Sequence, residues 1–95
     1  MSEPAEIAET AGHRLKRLSM RSHRRGTKEM DIILGRFADD RLVDFDAARL
    51  DLYEALLEEN DQDLYQWVTG QGAAPGRYTA LVAEIARHAT ERARG

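Results

Sequence analysis

Met30, Ile33, Leu34 and Phe37 recur at i, i+3, i+4 and i+7. That interval places four apolar side chains on one face of an α-helix and fits no strand. The same interval returns further along the chain. Leu50, Tyr53, Leu56 and Leu57 form a second stripe, Leu64, Trp67 and Val68 a third, and Tyr78, Leu81, Val82, Ile85 and Ala89 a fourth. No segment alternates apolar and polar residues with period two, and no hairpin dipeptide joins two apolar runs. The fold class expected is all-α, a single small domain of five helices around one core. Its 95 residues suit one core of modest size.

The helix ends follow from residues with special backbone chemistry. The first helix is expected from about His13 to Arg24, with Leu15, Leu18 and Ser22 on one narrow stripe. Gly26 either ends it or caps the next helix, since glycine suits both geometries. With Gly26 as the cap, Glu29 falls at the third helical position and can reach back to a free N–H. The second helix then runs from about Lys28 to Asp39, with Gly35 inside it, which a close helix crossing would explain. Asp44 or Asp46 starts the third helix, which continues to about Glu59. Asn60 or Asp61 starts the fourth. Gly70 and Gly72 stop it, and Pro75-Gly76 marks the turn into a fifth helix from about Arg77 to His88. Residues 1–12 are small, acidic and aperiodic, and are expected to be flexible. Residues 13–90 form the domain, and residues 91–95 should fray.

Composition removes several classes of function. There is no cysteine, so disulfides and thiol chemistry are excluded. No apolar run approaches the roughly 18 residues of a membrane span. The acidic start, with Glu3, Glu6 and Glu9, has the wrong charge for a signal peptide or presequence. The setting expected is the cytoplasm of a bacterium. His13, His23 and His88 are scattered without metal-ligand spacing, and no nucleophile pattern or phosphate-cradling glycine loop is present. The expected protein is not an enzyme and binds no metal.

The net charge of −3 hides a division. From His13 to Lys28 there are seven Lys or Arg and no acid, whereas Glu29 to Gly95 holds seven Arg against fourteen Asp or Glu. Two solvated faces of opposite sign would explain this. A basic patch for an acidic partner or for nucleic acid would explain it too. Against nucleic acid stand a pI near 5.6 and a basic segment with no aromatic residue for base stacking. No nucleic-acid partner is expected.

Two short runs carry most of the remaining information. Arg25-Gly26-Thr27-Lys28-Glu29 sets a cation, a glycine and a carboxylate within about one turn, where the basic segment gives way to the acidic one. Arg25 and Glu29 could pair on a helix surface, or Gly26 and Glu29 could simply form a helix start. Asp61-Gln62-Asp63-Leu64-Tyr65-Gln66-Trp67 joins a helix start to an aromatic residue. Trp67 reads as a core anchor. Tyr65 lies off the inward stripe, free for a contact.

Together with Met30-Asp31 and Ile33-Leu34-Gly35-Arg36-Phe37-Ala38, these runs resemble the two signatures of the succinate dehydrogenase assembly factor family. The resemblance extends from about Arg14 to Ala89. It implies a five-helix, all-α domain that binds the flavoprotein subunit of succinate dehydrogenase, and in some bacteria fumarate reductase. It implies promotion of covalent FAD attachment to a histidine of that partner, with no cofactor held stably by this chain. Arg25, Gly26 and Glu29 would belong to the partner-contacting surface, with Asp31 carried over from the bacterial pattern. Arg21 is added from its place near the same basic face. Two other readings stand beside this one: an antitoxin-like binder that neutralises a toxin, and a basic-helix nucleic-acid module.

Overall fold

In the computed structural model, residues 9–94 are described. Five α-helices are present among them, and no strand. They are α1 (Ala11–Ser22), α2 (Lys28–Arg41), α3 (Ala47–Leu56), α4 (Asp61–Val68) and α5 (Thr79–Arg94), with short 3₁₀ turns at Leu42–Asp44 and Gly76–Tyr78. The all-α expectation is met. No helix among the described residues is long and apolar enough to cross a membrane.

The central helix is α2, which packs against α1, α4 and α5. Its stripe supplies Met30, Leu34 and Phe37, all fully buried. The Phe37 ring stacks on Tyr53 at 5.9 Å and meets Phe45 and His88 edge-on at 5.9 and 5.4 Å. Offset and edge-to-face pairs of this kind are worth about 0.5–1.5 kcal/mol beyond the area they bury. Gly35 is also buried. A Cβ there would lie 2.5 Å from the His23 ring, so the close approach across Gly35 is to a side chain at the end of α1. His23 therefore lies over α2 while remaining exposed, and bonds Asp39 at 3.0 Å.

Helix ends differ from the sequence expectation by a few residues, each for a local reason. Thr10 caps α1 by accepting the His13 N–H, so the helix starts at Ala11, before the expected His13. Residues 10–12 thus belong to the start of α1, with Glu9 just before the cap. The rest of the expected flexible segment, residues 1–8, lies outside the described residues. Asp46, not Asp44, caps α3, and Asn60, not Asp61, caps α4. Gly70 has φ +81°, the left-handed geometry that ends a helix at little steric cost for glycine alone. Regular geometry continues in α5 to Arg94, past His88, where Arg92 donates to Asp40 at 2.9 Å.

Part of the basic segment is neutralised within the chain. Arg14 bonds Asp51 and Glu54, Arg17 bonds Glu9 and Glu54, and Arg21 bonds Glu58. The basic face of α1 therefore lies against acids of α3 and its C-terminal end. The Arg17 guanidinium holds the Glu54 carboxyl below its ordinary range, since an adjacent cation and its hydrogen bonds favour the charged form.

Candidate functional site

The two signature runs meet in space. Thr27 and Glu29 form one wall of a groove of about 320 Å³, and Asp61, Gln62, Tyr65, Gln66 and Gln71 form the rest. The connection between α1 and α2 brings the first wall, while α4 and the loop after it bring the second.

Arg25 is turned inward. Its side chain is only 11% exposed, as is that of Asp61. Each of its three nitrogens donates within the chain: Nε to Asp61 Oδ1 at 2.7 Å, one terminal nitrogen to the Leu57 carbonyl at 2.7 Å, the other to the Glu59 carbonyl at 2.8 Å. Those carbonyls lie just past the end of α3, where helices leave acceptors without intrahelical donors. A planar guanidinium with divergent N–H groups can serve all three acceptors at once. The surface pair with Glu29, one of the readings left open by spacing, is not formed.

The backbone beside Arg25 is tied just as closely. The Gly26 N–H donates to Asp61 Oδ2, and so does the Thr27 N–H at 3.0 Å. The Arg25 N–H donates to Asp31 Oδ1. These amides are drawn to carboxylates from α2 and α4, so α1 stops at Ser22 instead of running on to Arg24. Thr27, not Gly26, caps α2, because its hydroxyl can accept the Met30 N–H, at 3.3 Å, and glycine has no side-chain acceptor. Glu29 then falls at the second helical position, where it still favours the positive helix end.

Gly26 is exposed, and its φ is not positive. Space is what it provides: a Cβ would lie 3.1 Å from Asp61 Oδ2. Glu29 is exposed and makes no ion pair among the described residues. The five candidate residues thus separate. Gly26 and Glu29 face solvent. Arg25 and Asp31 hold the loop from inside. Arg21 is bonded to Glu58 at 2.6 Å and lines a different groove, with Arg17, Met20, Arg24 and Arg25. It does not join Glu29.

The sequence alone assigns no individual role to Gln62, Gln66 or Gln71, and it offers Asp61 as a possible helix cap within the second signature. The near match of Asp61 to a helix-start signal masked its longer reach. Tyr65 stands as expected, 37% exposed and lining the groove. Trp67 stacks on Tyr78 at 6.1 Å and packs partly buried against the core.

The groove does not fit FAD. Its lining includes Glu29 and Asp61 and no Lys or Arg, so a diphosphate there would face carboxylates without a cation. Among the described residues no group of three His, Asp or Glu is arranged to hold a metal ion.

These features define a small all-α domain that carries a tied-down signature loop beside a polar groove. The chain belongs to the family described as the flavinator of succinate dehydrogenase, whose family model matches residues 16–89. It is 36% identical over 84 residues to "Succinate dehydrogenase assembly factor 2, mitochondrial" of Drosophila grimshawi, covering 86% of this chain and 57% of that protein. The protein of the same name in Schizosaccharomyces pombe is 36% identical over 70 residues, 74% of this chain and 50% of the relative. That of Scheffersomyces stipitis is 44% identical over 61 residues, 64% and 41% respectively. The chain spans about half the length of these relatives. Their names are mitochondrial, and they lend no support to the bacterial, cytoplasmic setting expected from the sequence.

Proposed function

We propose that this chain is a succinate dehydrogenase assembly factor that binds the flavoprotein subunit and promotes covalent attachment of FAD to it. One observation supports this most. Both signatures converge on one groove, where Glu29 offers a carboxylate without an ion pair among the described residues and the exposed Gly26 adjoins the lining residue Thr27. Such an arrangement suits close backbone approach by a partner and a polar contact at Glu29.

Covalent flavin attachment requires the isoalloxazine ring to be held against a histidine while negative charge on the ring is stabilised. In this proposal FAD remains the partner's cofactor, and the assembly factor acts by fixing the geometry of the partner's domains. Preorganisation alone can lower such a barrier substantially. The acidic lining of the groove favours this role over delivery of FAD.

The test is in-gel flavin fluorescence of the succinate dehydrogenase flavoprotein after deletion of the gene in its host. The expected result is loss of the covalent flavin band, restored by the wild-type gene and not by Gly26→Arg. An unchanged band in the deletion strain would overturn the proposal.

A further inference from the structure

Asp61 lies outside the Arg-Gly-x-x-Glu run, yet its side chain is directed almost entirely to that run. Oδ1 accepts Arg25 Nε, and Oδ2 accepts the N–H groups of Gly26 and Thr27. Its own helix does not need it as a cap, because Asn60 accepts the Asp63 N–H at 2.9 Å. We infer that Asp61 is a positioning residue of the docking surface. It clamps the loop so that Arg25 stays inward while Gly26 and Glu29 are presented to the partner. This rests on the docking function proposed above.

The chemistry at Asp61 is specific to a carboxylate. Donors approach both oxygens from the same segment, so the site needs acceptors on both branches. Asparagine has the same shape but only one acceptor oxygen. In Asp61→Asn, the amide NH₂ must face either the Arg25 guanidinium or the Gly26 and Thr27 amides, donor against donor. One side of the clamp opens while the packing volume is kept. Glu29, by contrast, is expected to act on the partner directly, so its loss should leave the loop in place.

The experiment compares wild type, Asp61→Asn, Glu29→Gln and Asp63→Asn. Asp63→Asn makes the same charge change two residues along α4 at an exposed side chain. The first readout is amide hydrogen exchange by NMR on the full chain. The second is affinity for the purified apo flavoprotein subunit of succinate dehydrogenase. Asp61→Asn should speed exchange at Gly26 and Thr27 selectively, with Leu34 and Ile85 protected as before. It should also weaken binding by about tenfold or more. Glu29→Gln should weaken binding with loop exchange unchanged, and Asp63→Asn should change neither. Unaltered Gly26 and Thr27 exchange in Asp61→Asn would overturn the clamp. A loosened loop with undiminished binding would overturn its role in docking. Failure of wild type to bind the subunit would instead overturn the proposed function, with the exchange data still deciding the clamp.

Discussion

The Arg25 guanidinium meets the Asp61 carboxylate at 2.7 Å across 36 positions of sequence, with both side chains 11% exposed. This pair joins the loop after α1 to the start of α4 and, through the Leu57 and Glu59 carbonyls, to the end of α3. Removing one partner of a pair this enclosed strands the other charge, at about 3 kcal/mol or more. Arg25→Lys keeps the charge but loses the divergent donors, since one ammonium cannot reach three separated acceptors in the same geometry. The expected cost is about 1–2 kcal/mol. Urea unfolding would check this, and a midpoint equal to that of wild type would contradict it.

Gly26 leads to a graded prediction. An alanine Cβ would press on Asp61 Oδ2 at 3.1 Å, so the carboxylate must shift by a few tenths of an ångström. Gly26→Ala should retain the fold, soften the loop and reduce flavinylation in part. Gly26→Arg should leave helix content by circular dichroism unchanged and abolish flavinylation. Full activity of Gly26→Arg would remove the loop from the docking surface.

Glu29 is exposed and in the first turn of α2. Glu29→Gln should therefore alter stability by no more than about 0.5 kcal/mol. Its effect should be confined to partner binding. Thermal melting set beside a pull-down of the flavoprotein subunit separates the two, and a large drop in melting temperature would assign Glu29 to the fold.

A pH dependence follows from the far end of the bundle. Arg92 and then His88 donate to Asp40, at 2.9 and 2.7 Å, and hold its carboxyl down to about 2 from an ordinary 3.8. The unfolded chain lacks these donors and titrates near the ordinary value. Its proton affinity is then higher than that of the folded state, so acid favours unfolding. The contribution of Asp40 is complete above the unfolded value and is lost as pH falls from about 4 toward 2. The Arg17 guanidinium shifts Glu54 and Glu9 in the same direction. Melting temperatures followed from about pH 5 downward should fall in wild type, and less steeply in Asp40→Asn. Equal slopes would contradict the clamp on Asp40.

Tyr53 carries a buried polar contact. Ser22 Oγ donates to the Leu18 carbonyl at 2.7 Å, which leaves Tyr53 as donor to Ser22 at 2.6 Å. Burial, eased slightly by the Ser22 bond, pushes the Tyr53 hydroxyl up to about 12. Tyr53→Phe should cost about 1 kcal/mol, since the Ser22 oxygen loses a donor where water cannot replace it. Chemical denaturation would measure this, and a neutral result would mean that Ser22 finds another donor.

The helices were legible because their stripes repeat at helical spacing, from Met30–Phe37 through Tyr78–Ala89. Their ends were less legible. Gly26 is the cap the spacing to Glu29 suggests, whereas Thr27 serves, because only Thr27 carries a hydroxyl for the Met30 N–H. The distance in sequence to Asp61 hid the inward turn of Arg25, because spacing tests only partners within a turn or two. The basic segment from His13 to Lys28 suggests a charged surface patch, whereas Arg14, Arg17 and Arg21 bond acids on α3 and just past its end, 37 or more positions away. Glu29 and Gly26 were found by resemblance, and their exposure in the structure is consistent with that reading.

The inward Arg25 has a consequence for when the molecule becomes competent. A growing chain that has reached Glu29 already contains the whole Arg-Gly-x-x-Glu run, but Asp61 and the carbonyls of Leu57 and Glu59 do not yet exist to receive Arg25. The guanidinium is then loose and the glycine amide is bound only to water. The loop can take this shape only after Leu57, Glu59 and Asp61 have been made and have folded back onto it. Chains that stop short of Asp61 therefore carry the run without the bonds that shape it.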